Sequence, residues 1–164
     1  MSSEPRGHQD GFRVLVVEDN RGVRRMLRFS LRDAGFQVSE AASGGEALQI
    51  LEHQPLEAVV LDLGLSDRQG RGVLDWLRRR GPDGDGHLPV WVVMSALDQD
   101  DATRQYGPLG RQFLAKPFDP WVLVGLLQKL LGEESRIPPD DPLAGRPATS
   151  PESADGNTPR QPMK

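Results

Sequence analysis

Apolar residues along this chain fall into two alternating rhythms, short β-branched runs and longer amphipathic segments, which is the signature of successive βα units around a parallel sheet. Arg13 to Val17 (RVLVV) predicts a strand, and Val23, Met26, Leu27, Leu31 and Ala34 then recur at helical spacing, closed by Gly35 as a C-terminal cap. Phe36 to Ala41 predicts the second strand. Ser43, three residues before Glu46, forms a capping box that opens a helix carrying Ala47, Leu48 and Leu51. Glu57 to Leu61 (EAVVL) is the third strand, and its unbroken apolar character predicts burial on both faces. A helix over Gln69 to Arg80 follows, ended by the Gly- and Asp-rich stretch GPDGDGH. Pro89 to Met94 is the fourth strand, Gln99 to Tyr106 a polar fourth helix, and Gln112 to Ala115 a short fifth strand. Asp119, with Pro120 at the first helical position, starts a final helix running to about Leu131.

The 164 residues are too few for two full domains and exceed what five βα units need. The excess lies mostly at the C-terminus: residues 132–164 hold seven of the fourteen prolines and few large apolar side chains. Ordering them costs roughly 1 to 2 kcal/mol per residue, which that composition cannot offset by burial, so the expectation is a polar leader over 1–11, a domain over 12–131 and a disordered tail over 132–164. A formal net charge of -4 gives no electrostatic reason to expect nucleic-acid binding. The absence of cysteine excludes disulfides and thiolate chemistry. Without an apolar signal core or a membrane-length apolar run, a cytoplasmic protein is expected. Lysine occurs only at 116, 129 and 164, in a chain that otherwise writes its positive charge as Arg.

In an open parallel sheet, ligands bind beyond the carboxyl ends of the strands, where the strand order reverses. The first strand ends in Glu18-Asp19, the third in Asp62, the fourth in Ser95 and the fifth in Lys116. Three converging carboxylates repel one another unless they take up a proton or a cation. A hard divalent ion such as Mg2+, which takes oxygen ligands and shares them with phosphate, is the economical answer. With the Lys116 ammonium and the Ser95 hydroxyl it would make a socket for a transferred phosphoryl group, and the centrally placed Asp62 is the best acceptor.

These residues stand in motifs. VLVVEDN at 14–20, LDLGLSDRQG at 61–70, MSA at 94–96 and FLAKPF at 113–118 resemble, in this order and near this spacing, the receiver domain of bacterial two-component response regulators. The resemblance implies a flavodoxin-like, doubly wound five-stranded parallel sheet of order 2-1-3-4-5 with five helices. It implies Asp62 as phosphoacceptor, served by a sensor histidine kinase or a histidine phosphotransfer protein. Mg2+ would be held directly by Asp19 and Asp62, by the Gly64 carbonyl, and by Glu18 largely through water. Lys116 would contact the phosphoryl oxygens, Ser95 and Phe113 would be the switch residues, and Pro117 would follow a cis peptide bond. The protein would be a stand-alone signalling receiver rather than an enzyme, catalysing only its own phosphorylation and dephosphorylation, and would signal through its helix 4, strand 5 and helix 5 face to an unknown downstream protein. The family pattern is broken at Ser66, where proline is usual, and at Leu109-Gly110, where Gly-Ala is usual; both bear on the loops around the site.

Other features carry less. Arg21, Arg24, Arg25, Arg28 and Arg32 make one side of the first helix basic, either a solvated face or a docking face for a kinase bundle. The final helix is apolar on more than one side, from Trp121 to Leu131, and the surplus points to a partner surface or a homodimer contact. His8, His53 and His87 form no ligand spacing. The alternative function is a phosphorylation-independent receiver-like interaction module, which the set Asp19, Asp62, Ser95 and Lys116 speaks against. An aspartate-nucleophile phosphatase ranks last, because such enzymes need an acidic residue two positions after the nucleophile and Gly64 stands there.

Overall fold

A computed structural model describes residues 11–67, 69–79, 89–109 and 112–134. Five strands and five helices alternate: β1 (Arg13–Val17), α1 (Arg21–Asp33), β2 (Gln37–Ala41), α2 (Gly44–His53), β3 (Ala58–Asp62), α3 (Gly70–Arg79), β4 (Val90–Ser95), α4 (Gln99–Tyr106), β5 (Gln112–Ala115) and α5 (Pro120–Glu134). All strand pairs are parallel, in the order β2-β1-β3-β4-β5. The polar α4 and the short β5 have the bounds that the sequence pattern gives them. Residues 1–10 of the expected leader, the tail beyond residue 134, the GPDGDGH stretch and Gly110 lie outside the described residues.

Alternation along the strands divides the core. Leu15, Val17, Val59, Leu61 and Val93 face α2, α3 and α4, meeting Leu51, Val73, Leu74, Leu77 and Ala102. Val14, Val16, Val60, Val92 and Met94 face α1 and α5, meeting Leu27, Leu31, Leu123, Val124, Leu127 and Leu131. Every residue of β3 is buried, as its apolar run predicts for a central strand covered on both sides.

Helix ends follow their capping residues. Asn20 accepts the Val23 amide at the start of α1. At its other end the Gly35 amide bonds Arg32 O and the Phe36 amide bonds Leu31 O, a Schellman closure that glycine at φ 95° makes without strain. Ser43 caps α2 by accepting the Glu46 amide, while the Glu46 carboxylate accepts from Ala42 rather than from Ser43 itself, a one-residue departure from the usual box.

Three expectations need correction. Met26 does not join the buried stripe of α1: it is exposed and Ser30 is buried instead, because the face centred on Leu27 and Leu31 runs through position 30 and leaves 26 at its margin. Arg24 and Arg28 are not part of a freely solvated basic face, since both reach Glu40 on β2, at 3.5 and 3.0 Å. Finally, α5 continues to Glu134, so residues 132–134 belong to the helix rather than to the tail. The first residue that breaks a helix there is Pro138, and nothing between Leu131 and Glu134 forbids another turn.

Candidate functional site

The chain reverses its direction of sheet growth at β1: β2 lies on one side and β3 on the other. The crevice of such a fold lies between β1 and β3, at their carboxyl ends. Glu18 and Asp19 leave β1 there, and Asp62 is the last residue of β3. One carboxylate oxygen from each of the three lies within 4.8 Å of the others. Glu18 and Asp62 are almost completely buried, at 1% and 3% exposure, and Ser95 at the end of β4 is 3% exposed.

Among the described residues one side-chain cation, Lys116, bonds carboxylates of this group. Lys116 Nζ lies 2.7 Å from Glu18 Oε2 and 3.1 Å from Asp62 Oδ2. It is carried by the turn after β5, where the Lys116 amide bonds Ser95 O at 2.7 Å and the Lys116-Pro117 peptide is cis, as the resemblance implies. Backbone amides hold three further oxygens: Gly64 N–H donates to Asp62 Oδ1 at 2.9 Å, Asn20 N–H to Glu18 Oε1 at 3.1 Å, and Ser66 N–H to Asp19 Oδ2 at 3.1 Å. Ser95 Oγ accepts the Leu97 amide at 3.0 Å, which fixes the hydroxyl while its own O–H remains a donor. Phe113 is half-buried against the α3 and α4 side of the core.

The titration of the groups follows from this crowding. Burial pushes the Glu18 carboxyl above its ordinary value, a shift that the bonds from Lys116 and Asn20 only partly oppose. For Asp19, burial is opposed by the amide and hydroxyl of Ser66 and by Glu18, and the net shift is downward. Burial would lower the Lys116 ammonium, but its bonds to Glu18 and Asp62 outweigh that and hold it above the usual lysine value. Three carboxylates against one ammonium leave a deficit of positive charge in a site walled by buried β3. Hard oxygen donors in this number fit Mg2+.

The residues from 14 to 128 match the family model described as the response regulator receiver domain. The chain belongs to that family. Among curated relatives, this receiver is 31% identical over 118 residues to a putative NtrX-like response regulator of Rickettsia felis, covering 71% of the chain and 24% of the relative. It is 31% identical over 125 residues to the transcriptional regulatory protein PhoP of Escherichia coli, covering 76% and 54%. The chain thus matches about a quarter to a half of the length of these relatives. A solved structure of a putative response regulator from Chloroflexus aurantiacus aligns with a TM-score of 0.64 at 31% identity, covering 74% of this chain and 98% of that one. Among the described residues no helix is long and apolar enough to cross a membrane.

All seven residues singled out in the sequence fall on this edge of the receiver or beside it: Glu18, Asp19, Asp62, Gly64, Ser95, Phe113 and Lys116. For Gly64 the observed contact is its amide on Asp62. Four further contributors are not apparent from spacing. Arg24 braces the Glu18 carbonyl at 2.8 Å. Tyr106, at the end of α4, donates its hydroxyl to Leu63 O at 3.1 Å, beside the acidic loop. Arg71 and Arg78 of α3 clamp the same end of α4: Arg71 donates to Gln105 O at 2.6 Å and stacks over Tyr106, while Arg78 donates to Tyr106 O at 2.7 Å and to Pro108 O. The apolar surplus of the final helix shrinks to its first turn, where Trp121 and Val122 are exposed, because Leu126 and Leu130 pack against the core.

Proposed function

We propose that this receiver accepts a phosphoryl group on Asp62 in a Mg2+-dependent reaction, from a histidine kinase or histidine phosphotransfer protein, as a signalling switch of the cytoplasm. The observation that carries the reading is the state of the Asp62 carboxylate: buried at a strand end, with Oδ1 on the Gly64 amide and Oδ2 on Lys116, beside two further carboxylates. A carboxylate oxygen of Asp62 forms a bond to phosphorus as the bond from phosphorus to the donor imidazole nitrogen breaks, and the imidazole leaves with the electron pair. Phosphoryl transfer asks the protein mainly for positioning and charge compensation. The Lys116 ammonium supplies a fixed positive charge, and the Ser95 hydroxyl a donor for a phosphoryl oxygen. Glu18, Asp19 and Asp62 would hold the Mg2+, with the Gly64 carbonyl completing the set, and the ion would neutralise charge on the phosphoryl oxygens. Ser95 and Phe113 would then shift together, altering the α4, β5 and α5 face through which a downstream protein reads the state. The same groups would serve the later hydrolysis of the acyl phosphate, so the chain acts catalytically only on itself.

The test is labelling by a small acyl phosphate with and without Mg2+. Wild type is expected to take up a hydroxylamine-sensitive label only with Mg2+, and Asp62→Asn to take up none. Label persisting in Asp62→Asn would remove Asp62 as acceptor, and a wild type that neither labels nor binds Mg2+ would favour a phosphorylation-independent interaction module.

A further inference from the structure

A second network joins the acidic site to α2 through residues that phosphoryl transfer does not use. Ser66 N–H holds Asp19 Oδ2 at 3.1 Å. Its neighbour Asp67 turns both carboxylate oxygens onto the first amide of α2, Gly44 N–H, at 3.0 and 3.1 Å, and one of them onto Gly45 N–H at 3.3 Å. Those amides have no carbonyl partner within their own helix, and a carboxylate there also complements the helix dipole. The two segments are in backbone contact: a Cβ on Gly44 would sit 2.4 Å from the Gln69 carbonyl carbon. A short strap of two residues, Ser66 and Asp67, therefore runs from a carboxylate of the acidic site to the start of α2. Its first link is a main-chain N–H, which every residue except proline can supply.

We propose that Ser66 is a positioning residue for Asp19, and that the Ser66-Asp67 strap transmits cation occupancy of the acidic site to the N-terminus of α2. This rests on the reading of the site as a divalent-cation site. A ligating carboxylate held by an outer hydrogen bond is fixed in orientation, and loss of such a partner typically weakens metal binding by about tenfold or more. Coupling is reciprocal: if ordered Asp19 favours the cation, the cation favours the strap. The face addressed, α2 with the start of α3, lies across the sheet from α1 and α5.

The experiment is Mg2+ titration of the full chain by calorimetry, together with amide hydrogen exchange at Gly44 and Gly45. In wild type, saturating Mg2+ is expected to slow exchange of both amides. Ser66→Pro, which lacks the N–H, is expected to bind Mg2+ about tenfold more weakly and to lose that response, while Ser66→Ala, which loses the hydroxyl but keeps the N–H, keeps the response and binds Mg2+ more tightly than Ser66→Pro. Asp67→Ala is expected to bind Mg2+ nearly as wild type does, with exchange at Gly44 and Gly45 faster and indifferent to the ion. Wild-type affinity in Ser66→Pro, or exchange in wild type that ignores bound Mg2+, overturns the strap while leaving the cation site intact. Absence of Mg2+ binding in wild type overturns the cation reading itself, and the strap with it. If Ser66→Pro does not fold, Asp67→Ala decides, since a persisting Mg2+ response at Gly44 and Gly45 would overturn the proposal.

Discussion

The two ends of β1 and β3 handle charge in opposite ways. At the amino end Arg13 and Glu57 form a closed pair: guanidinium Nη2 lies 2.6 Å from Oε1 and Nε 3.1 Å from Oε2, and the Arg13 amide adds a third bond at 2.7 Å. The backbone of Glu57 is satisfied as well, its amide on Arg13 O and its carbonyl accepting from Val90. One cation meets one carboxylate there, and both side chains remain about a third exposed, at 31% and 33%. At the carboxyl end Lys116 bonds two of three clustered carboxylates, Glu18 and Asp62, and Glu18 is nearly inaccessible to solvent. The first arrangement is complete in itself and serves the fold. The second has more carboxylates than cations among the described residues, and that shortage is what makes it receptive to an added cation.

The contrast can be broken experimentally. The largest effect is expected from Lys116→Met, which removes the ammonium bonded to Glu18 and Asp62: about 3 kcal/mol lost in urea unfolding with chelator present, partly recovered by millimolar Mg2+. A loss below about 1 kcal/mol would mean that this edge is not short of positive charge. Arg13→Met at the amino end is expected to cost about 1 kcal/mol, discounted for exposure, and to cost the same with and without Mg2+.

The pH dependence should carry opposite signs. The Glu57 carboxyl is buried enough to be pushed upward, yet its bonds to Arg13 outweigh this and hold it below the ordinary 4.5. Its contribution is therefore present above 4.5 and lost as pH falls through the lowered value. Glu18 is raised above 4.5 by burial, so its protonated form favours the fold. That contribution is present below 4.5 and lost as pH rises through the raised value. In chelator, Glu57→Gln should remove a rise of stability with pH, and Glu18→Gln a fall; parallel pH profiles in the two variants would erase the distinction. The smallest effect is expected from Tyr106→Phe, roughly 0.5 to 1 kcal/mol for one hydrogen bond to Leu63 O, read as a shift in the denaturant midpoint.

Most of the architecture is legible in the sequence because it rests on local rules. Short β-branched apolar runs give the strands, and Ser43 and Gly35 mark helix ends by their own chemistry. The acidic edge is legible too, since parallel strands bring their carboxyl ends together whatever the loops do. What escapes depends on geometry that spacing does not encode. Whether Met26 or Ser30 faces inward turns on the roughly 40° around the helix axis that separates positions four apart. Tyr106 meets Leu63 across 43 positions of sequence. Ser66 acts through its amide as well as its hydroxyl, and the amide, a group with no one-letter code, shows in the sequence only where proline is the expectation.

The bond from Lys116 to Glu18 spans 98 positions, and the lysine hangs from the shortest strand, four residues at the edge of the sheet. Edge elements with one neighbour are among the first to open in local unfolding. Detaching β5 would withdraw the ammonium while leaving Glu18, Asp19 and Asp62 seated on β1 and β3. The remainder, β2-β1-β3-β4, would keep its acidic crevice and lose the ammonium bonded to Glu18 and Asp62. Were Asp62 to accept a phosphoryl group as proposed, the site would be complete only in a molecule folded through β5, because its ammonium comes from the turn after that strand.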